Sequence, residues 1–335
     1  LLARADFITL HTPLTDKTRN ILSAENLAKT KKGVQIVNCA RGGLVDEAAL
    51  RKLLEDRHVG GAAFDVFVEE PAKQNVLFGA PNLVCTPHLG ASTVEAQENV
   101  ALQVAEQMSD YLMTGAVTNS LNMPNVSAED APRLAPYLKL AENLGSFAGQ
   151  LTETGIKAVS IEYEGTVAAL NVKPLTQAVI TGLLRPQLEN VNMVNAPILA
   201  RERGVDVAEV KHDRDSDYQT QITVTVTTER RTRSVSGTLF GGKRPRLVYI
   251  KGIEIEAEFA PNMLYITNDD KPGFIGRLGA LLGDAGVNIA TFHLGRDKPG
   301  GEAIALVAVD QKLGGALVDR IGALDGVTQA KALAF

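Results

Sequence analysis

The 335-residue chain has little of several things that would place a protein in a class at once. Its two cysteines, Cys39 and Cys85, stand far apart without a C-x-x-C, which excludes a disulfide framework or a zinc ribbon and fits a reducing cytoplasm. No apolar run approaches the roughly 18 residues that cross a bilayer, so no membrane association is expected. Neither charge sign dominates: 39 acidic against 34 basic side chains give a net charge of −5, no basis for nucleic acid as the main partner. His11, His58, His212 and His293 show no H-E-x-x-H or paired spacing, and no metal is expected. No internal repeat, low-complexity tract or signal-peptide pattern occurs. The first residue is Leu1 rather than Met, and the chain reads as truncated at its start.

What remains is a globular composition, 45% hydrophobic and 22% charged, in a length that calls for two or three domains at roughly 100 to 200 residues each. From Ala5 to His88, short apolar runs (DFITLHT, VQIVNCA, GAAFDVF, LVCTPH) alternate with amphipathic helical stretches, the pattern of a parallel sheet covered by helices. In DEAALRKLLEDRHVGG, Asp46 caps a helix, Ala49, Leu50, Leu53 and Leu54 form its apolar stripe, and Gly60-Gly61 end it. Ser92-x-x-Glu95 reads as a capping box opening a long helix to about Met113, with Val100, Val104, Met108 and Leu112 on one side. A Pro/Asn/Ser-rich stretch from Thr118 to Pro132 is the linker expected to end a first domain over residues 1–120. A mixed α+β domain over 121–262 follows, with helices near Arg133–Leu151 and Leu175–Leu188 and strands in QTQITVTVTTE, RSVSGTLF and RLVYIKG. Residues 263–335 read strand, helix, strand, strand, helix, strand, a ferredoxin-like βαββαβ unit.

Chemistry in parallel sheets sits at the carboxyl ends of the strands. Arg41, in NCARGGLVD, follows one strand directly, and its planar fork suits a small carboxylate; a surface pairing with Asp46 or Glu47 is the plainer alternative. Asp65 and Glu70 lie in DVFVEEP, and His88 follows 18 positions after Glu70. A histidine can take and return one proton per turnover, and a carboxylate beside it holds its tautomer. A lone histidine before a loop is as readily structural, but Arg, Asp, Glu and His at one sheet edge each supply a different part of hydride transfer from a 2-hydroxy acid to a nicotinamide.

The segments HTPLTDKTRN, KKGVQIVNCARGGLVDEAAL, GAAFDVFVEEP and CTPHLGAST together resemble the D-isomer-specific 2-hydroxyacid dehydrogenases, in the branch that oxidises 3-phosphoglycerate to 3-phosphohydroxypyruvate with NAD during L-serine biosynthesis. The resemblance implies the second half of a Rossmann-type sheet, with Arg41, Glu70 and His88 catalytic. Thr12, Cys39, Ala40, Arg41, Asp65, His88, Leu89, Gly90 and Ala91 would line NAD, Asp65 facing the nicotinamide carboxamide. The family's G-x-G-x-x-G does not occur in this sequence, which leaves the pyrophosphate without its cradle; weak NAD binding and little or no turnover by the chain alone are expected. Residues 263–335 resemble an ACT domain, implying L-serine as effector at Asn268, Asp270 and Asn288, and a homo-oligomer, dimer or tetramer. By local signals alone, Asp270 caps the helix of that module, Pro272 sits in its first turn and Gly286 closes it. The middle domain resembles the intervening domain of the longer family members, and E-R-R-T-R and G-G-K-R-P-R give it a basic hairpin. That hairpin is either a solvated face or an anion site on Lys243 and Arg244. Two rival readings are a glyoxylate- or hydroxypyruvate-type reductase and a non-enzymatic amino-acid sensor.

Overall fold

The computed structural model describes residues 1–212 and 217–335, in two compact units, Leu1–Glu106 and Gln107–Phe335. The first unit runs β1 (Phe7–Leu10), α1 (Ala24–Ala28), β2 (Val34–Asn38), α2 (Glu47–Glu55), β3 (Val59–Phe64), β4 (Leu83–Cys85) and the start of α3 (Val94–Thr114). Its four strands pair in parallel in the order β1-β2-β3-β4. Val34, Ile36, Leu50, Leu54, Val59 and Phe64 join one buried core, so the stripe of α2 does cover the sheet.

Two expectations need correction here. Gly60 and Gly61 lie inside β3 and do not end α2. The helix stops earlier, at Asp56, followed by Arg57 in the left-handed region at φ 55°. The two glycines are there for close approach: a Cβ on Gly60 would stand 2.5 Å from the Gly33 carbonyl oxygen, and one on Gly61 2.5 Å from Gln35 Oε1. At the start of α3 the capping side chain is Thr93, whose hydroxyl accepts from Ala96 N at 3.1 Å, while Ser92 Oγ donates to His88 O. Helix α3 runs as expected past Met113, and its Val100, Val104, Met108 and Leu112 are exposed.

The second unit contains α4 (Ala131–Gln150), β5 (Ile156–Gly165), α5 (Lys173–Leu184), α6 (Ala196–Glu202), β6 (Asp206–His212), β7 (Thr220–Thr228), β8 (Thr232–Phe240), β9 (Arg244–Ile250), β10 (Ile253–Glu258), β11 (Asn262–Asp269), α7 (Phe274–Asp284), β12 (Ile289–Arg296), β13 (Glu302–Val309), α8 (Gly315–Gly322) and β14 (Val327–Ala334). They form a six-stranded sheet, β10-β9-β8-β7-β5-β6, and an antiparallel four-stranded sheet, β12-β13-β11-β14. Helices α4 and α5 meet without intervening side chains at Gly145, Gly149 and Gly182. A Cβ at any of the three would lie within 2.3 Å of a backbone oxygen on the other helix.

Alternation along β11 splits its side chains between two cores. Met263 and Tyr265 join the core of α4, α5 and the six-stranded sheet. Leu264 and Ile266 pack with Phe274, Leu278 and Leu282 of α7. The terminal βαββαβ element is therefore covered on both faces of its sheet. Its first helix starts otherwise than expected: Gly273, at φ 88°, is the N-cap residue, after Pro272, and Asp270 caps nothing. Gly286 does follow the helix end, at φ 69°. Among the described residues, no helix is long and apolar enough to cross a membrane.

Candidate functional site

Because β1 to β4 are parallel, the segments that follow them emerge on one edge of the sheet. After β2, Asn38 is buried, and its side chain shapes the next turn: Oδ1 accepts from Ala40 N at 3.2 Å and Nδ2 donates to Arg41 O at 3.0 Å. Gly42 then presses on the chain after β3 so closely that a Cβ would overlap the Phe67 carbonyl oxygen, at 1.7 Å. Only glycine lets these two segments touch.

After β3, Asp65 is 8% exposed and turns its carboxylate toward the chain leaving β4. Oδ1 accepts from Thr86 Oγ1 at 2.6 Å and from Leu89 N at 2.8 Å, and Oδ2 accepts from Gly90 N at 3.3 Å. Burial alone would raise its pKa, but these hydrogen bonds and the nearby His88 more than offset that and lower it. The carboxylate pins a turn in which His88 adopts φ 59°, a costly conformation for a residue with a Cβ.

The ring held in that turn meets Glu70. His88 Nδ1 stands 2.6 Å from Glu70 Oε2, and the other Glu70 oxygen, Oε1, accepts from Phe67 N at 2.9 Å. These contacts, the backbone amide first, hold the Glu70 carboxyl below the usual carboxylate range. A nitrogen that close to a carboxylate is a donor, so the neutral ring carries its proton on Nδ1 and leaves the Nε2 lone pair available. A cleft of about 620 Å³ opens beside the pair, lined by Phe67, Glu70, Phe78, Cys85, His88 and Ser92 among others. The arrangement sets a histidine–carboxylate pair able to take or give a proton beside a pocket of small-ligand size.

Arg41 does not line that cleft. Its side chain is exposed, and Nη1 donates to Ala40 O of its own turn at 2.6 Å. Thr12 follows β1 and has a buried hydroxyl without a hydrogen-bond partner among the described residues. Cys39 is an exposed free thiol. Leu89 and Gly90 spend their amides on Asp65, and Ala91 borders the cleft.

In the second unit, Asn268 is buried, with Nδ2 donating to Asp269 O and Oδ1 unpartnered among the described residues. Asp270 accepts from Gly300 N at 3.1 Å and Arg296 Nη1 at 2.9 Å, which lower its pKa. Asn288 Nδ2 donates to Asp310 Oδ2 at 2.7 Å. Lys243 and Arg244 lie exposed at the β8–β9 turn, whereas Arg246 pairs with Glu258 and covers the Phe240 ring.

Several contributors escape a reading of the sequence. Glu47 accepts from Val68 N and from Asn75 Nδ2, 21 and 28 residues away, and no local pattern marks such a contact. Glu162, Glu164 and His212 bring ligand-type atoms within 4.8 Å of one another across β5 and β6. The parallel β5–β6 pairing sets Glu164 opposite His212, a register that spacing alone does not reveal.

Residues 1–90 match the NAD binding domain of D-isomer specific 2-hydroxyacid dehydrogenases, residues 133–251 the D-3-phosphoglycerate dehydrogenase intervening domain, and residues 262–326 the ACT domain. The D-3-phosphoglycerate dehydrogenase of Bacillus subtilis is 41% identical over 99% of this chain and 63% of its own length. That of Synechocystis is 41% identical over 98% of this chain and 60% of its own length. The chain thus spans about three fifths of the curated relatives it matches. Among solved structures, a D-isomer specific 2-hydroxyacid dehydrogenase from Xanthobacter autotrophicus is 32% identical over 39% of this chain and 51% of that chain, with a TM-score of 0.31. In these three stretches the chain is similar to the D-isomer-specific 2-hydroxyacid dehydrogenases, and among them to the phosphoglycerate dehydrogenases that carry an intervening domain and an ACT domain.

Proposed function

We propose that this chain carries the acid/base and regulatory parts of an NAD-dependent dehydrogenase that oxidises 3-phosphoglycerate to 3-phosphohydroxypyruvate in the formation of L-serine. The observation that carries this reading is the 2.6 Å contact of His88 Nδ1 with Glu70 Oε2 at the carboxyl edge of a parallel sheet. The match of residues 133–251 to the D-3-phosphoglycerate dehydrogenase intervening domain supports 3-phosphoglycerate as the substrate.

The residues present fit the nicotinamide half of the cofactor. Thr12 offers a buried hydroxyl in want of a partner at the end of β1, and the 39–41 and 88–91 turns present backbone along the same edge. Asp65 acts mainly on the protein itself, fixing the 88–90 turn. When bound, NAD supplies the hydride acceptor. Arg41, which donates to the carbonyl of its own turn, swings outward to hold the substrate carboxylate with its planar fork. His88 Nε2 accepts the hydroxyl proton, and Glu70 stabilises the imidazolium that results. Without G-x-G-x-x-G in these 335 residues, cofactor affinity is low and turnover by this chain alone is slow or absent.

Residues 1–120 are assigned to catalysis, 121–262 to the intervening domain and 263–335 to effector binding. Asn268 Oδ1, buried and unpartnered, and Asp270 meet the ammonium of L-serine, with Asn288 beside them. Lys243 and Arg244 form an anion site for phosphate groups, and charge reversal at both removes any phosphate-ion effect on effector binding. The assembly is a cytoplasmic homo-oligomer, dimer or tetramer.

The test is a titration of the labelled 335-residue chain, followed by nuclear magnetic resonance, with NADH and then 3-phosphohydroxypyruvate at millimolar concentrations. NADH is expected to move resonances of residues 39–41, 65 and 88–91, and the keto acid to move His88 and Arg41 in a manner lost in Arg41→Gln. No response to either ligand in these residues refutes the proposal.

A further inference from the structure

The segment carrying Glu70 is poorly anchored where the carboxylate sits. Val66 and Phe67 are buried before it, Leu77 is buried after it, and the Phe67 and Phe78 rings meet edge to face at 5.4 Å. Residues 68–71, between those anchors, are exposed, so polar contacts alone can fix them. One is Phe67 N to Glu70 Oε1; the next amide, Val68 N, donates to Glu47 Oε1 at 3.1 Å. On the far side of Glu70, Asn75 Nδ2 donates to Glu47 Oε2 at 2.8 Å, and Asn75 Oδ1 accepts from Leu77 N at 2.8 Å. A single carboxylate therefore grips the chain both before and after Glu70.

That carboxylate is itself well placed. Glu47 opens α2, where Asp46 already caps by accepting from Ala49 N at 3.0 Å. The Glu47 side chain is thus released from capping while its negative charge is favoured by the helix N-terminus. It also stands near enough to the cleft to add to the burial that pushes the Cys85 thiol pKa up.

We infer that Glu47 is a positioning residue: by clamping Val68 N and Asn75 Nδ2 it holds Glu70 in hydrogen-bonding distance of His88. This rests on the reading of Glu70 and His88 as the acid/base pair, and it adds a role that the pair's own contacts do not contain. Two effects of Glu47 have opposite signs and can be separated. Were Glu47 no more than a neighbouring negative charge, it would hold the Glu70 pKa up, and its removal would lower it. As a clamp, Glu47 keeps Glu70 on its two donors, so its removal frees the carboxylate and raises its pKa toward the ordinary value.

The experiment is a pH titration of the Glu70 side-chain carboxyl carbon in the full 335-residue chain. Glu47→Ala and Asn75→Ala are each expected to raise the Glu70 pKa by about half a unit or more, and Glu47→Gln, which keeps one acceptor oxygen, by less. An unchanged or lowered value in Glu47→Ala overturns the inference. Should that variant fail to fold, Asn75→Ala decides, since it changes no charge and touches neither Glu70 nor His88. The readout needs no ligand. A missing shift therefore sinks the role of Glu47 alone, and a missing response to both NADH and the keto acid sinks the proposed function alone.

Discussion

Replacing Asp65 by Asn is the sharpest single perturbation of the turn that carries His88. The change keeps the shape of the side chain but removes its charge, and an amide offers one acceptor oxygen where the carboxylate satisfies three donors. Hydrogen bonds to a charged group contribute about 1.5 to 3 kcal/mol against roughly 0.5 to 1.5 for neutral ones. Gly90 N is then left facing an NH₂ group, so the turn loses on the order of 2 to 4 kcal/mol of local stability. At 1.4 kcal/mol per factor of ten, amide exchange at Leu89 and Gly90 accelerates roughly 30- to 1,000-fold. His88, released from its φ of 59°, relaxes away from Glu70. The pH dependence has a definite sign. The folded Asp65 pKa is lowered, so its contribution is fully present above the unfolded carboxyl value of about 3.9 and is lost as pH falls through the folded value. The difference between wild type and Asp65→Asn is full at neutral pH and shrinks below about pH 4. Hydrogen exchange, corrected for intrinsic rates and followed residue by residue, checks both statements. Unchanged protection of Leu89 and Gly90, or a difference that stays constant down the acid limb, refutes the reasoning.

Other expectations follow from the same geometry. Gly42→Ala forces a Cβ onto the Phe67 carbonyl oxygen, and by backbone displacement it lowers stability by about 3 kcal/mol or more and disperses the His88 and Glu70 resonances. Gly279→Ala, in the middle of α7 with no atom near the added Cβ, instead stabilises by about 0.5 to 1 kcal/mol in thermal melts. L-Serine titrated calorimetrically into the chain binds, and Asn268→Ala abolishes the heat; full binding by that variant removes Asn268 from the effector site.

How far the amino-acid pattern carries depends on the range of the force that shapes each element. The parallel strands are legible because burial on both faces leaves continuous apolar runs such as VQIVN, and β11 and β13 are legible for the same reason. The neighbourhood of Glu70 and His88 is legible because their chemistry is complementary, although 18 residues separate them. Turn chemistry misleads where tertiary contacts outbid it. Gly60 and Gly61 look like a helix stop but serve strand packing, and Asp270 looks like a cap but is claimed by Arg296 and Gly300 N. The edge strand β6, its residues exposed but for His212, shows no burial alternation to find, and the clamp of Glu47 on Val68 and Asn75 exists only through long-range folding. The guanidinium of Arg41 is the other gap, since nothing in NCARGG announces that its resting partner is the preceding carbonyl.

The central claim is that Glu70 fixes the proton of His88 on Nδ1 and leaves Nε2 to exchange a proton with substrate. Long-range ¹⁵N–¹H correlation spectra of the imidazole at a pH where it is neutral test this most directly. The account predicts the Nδ1–H tautomer in the wild-type chain and a shift toward a mixture of tautomers in Glu70→Ala. A wild-type His88 protonated on Nε2, or a tautomer indifferent to Glu70, would contradict it.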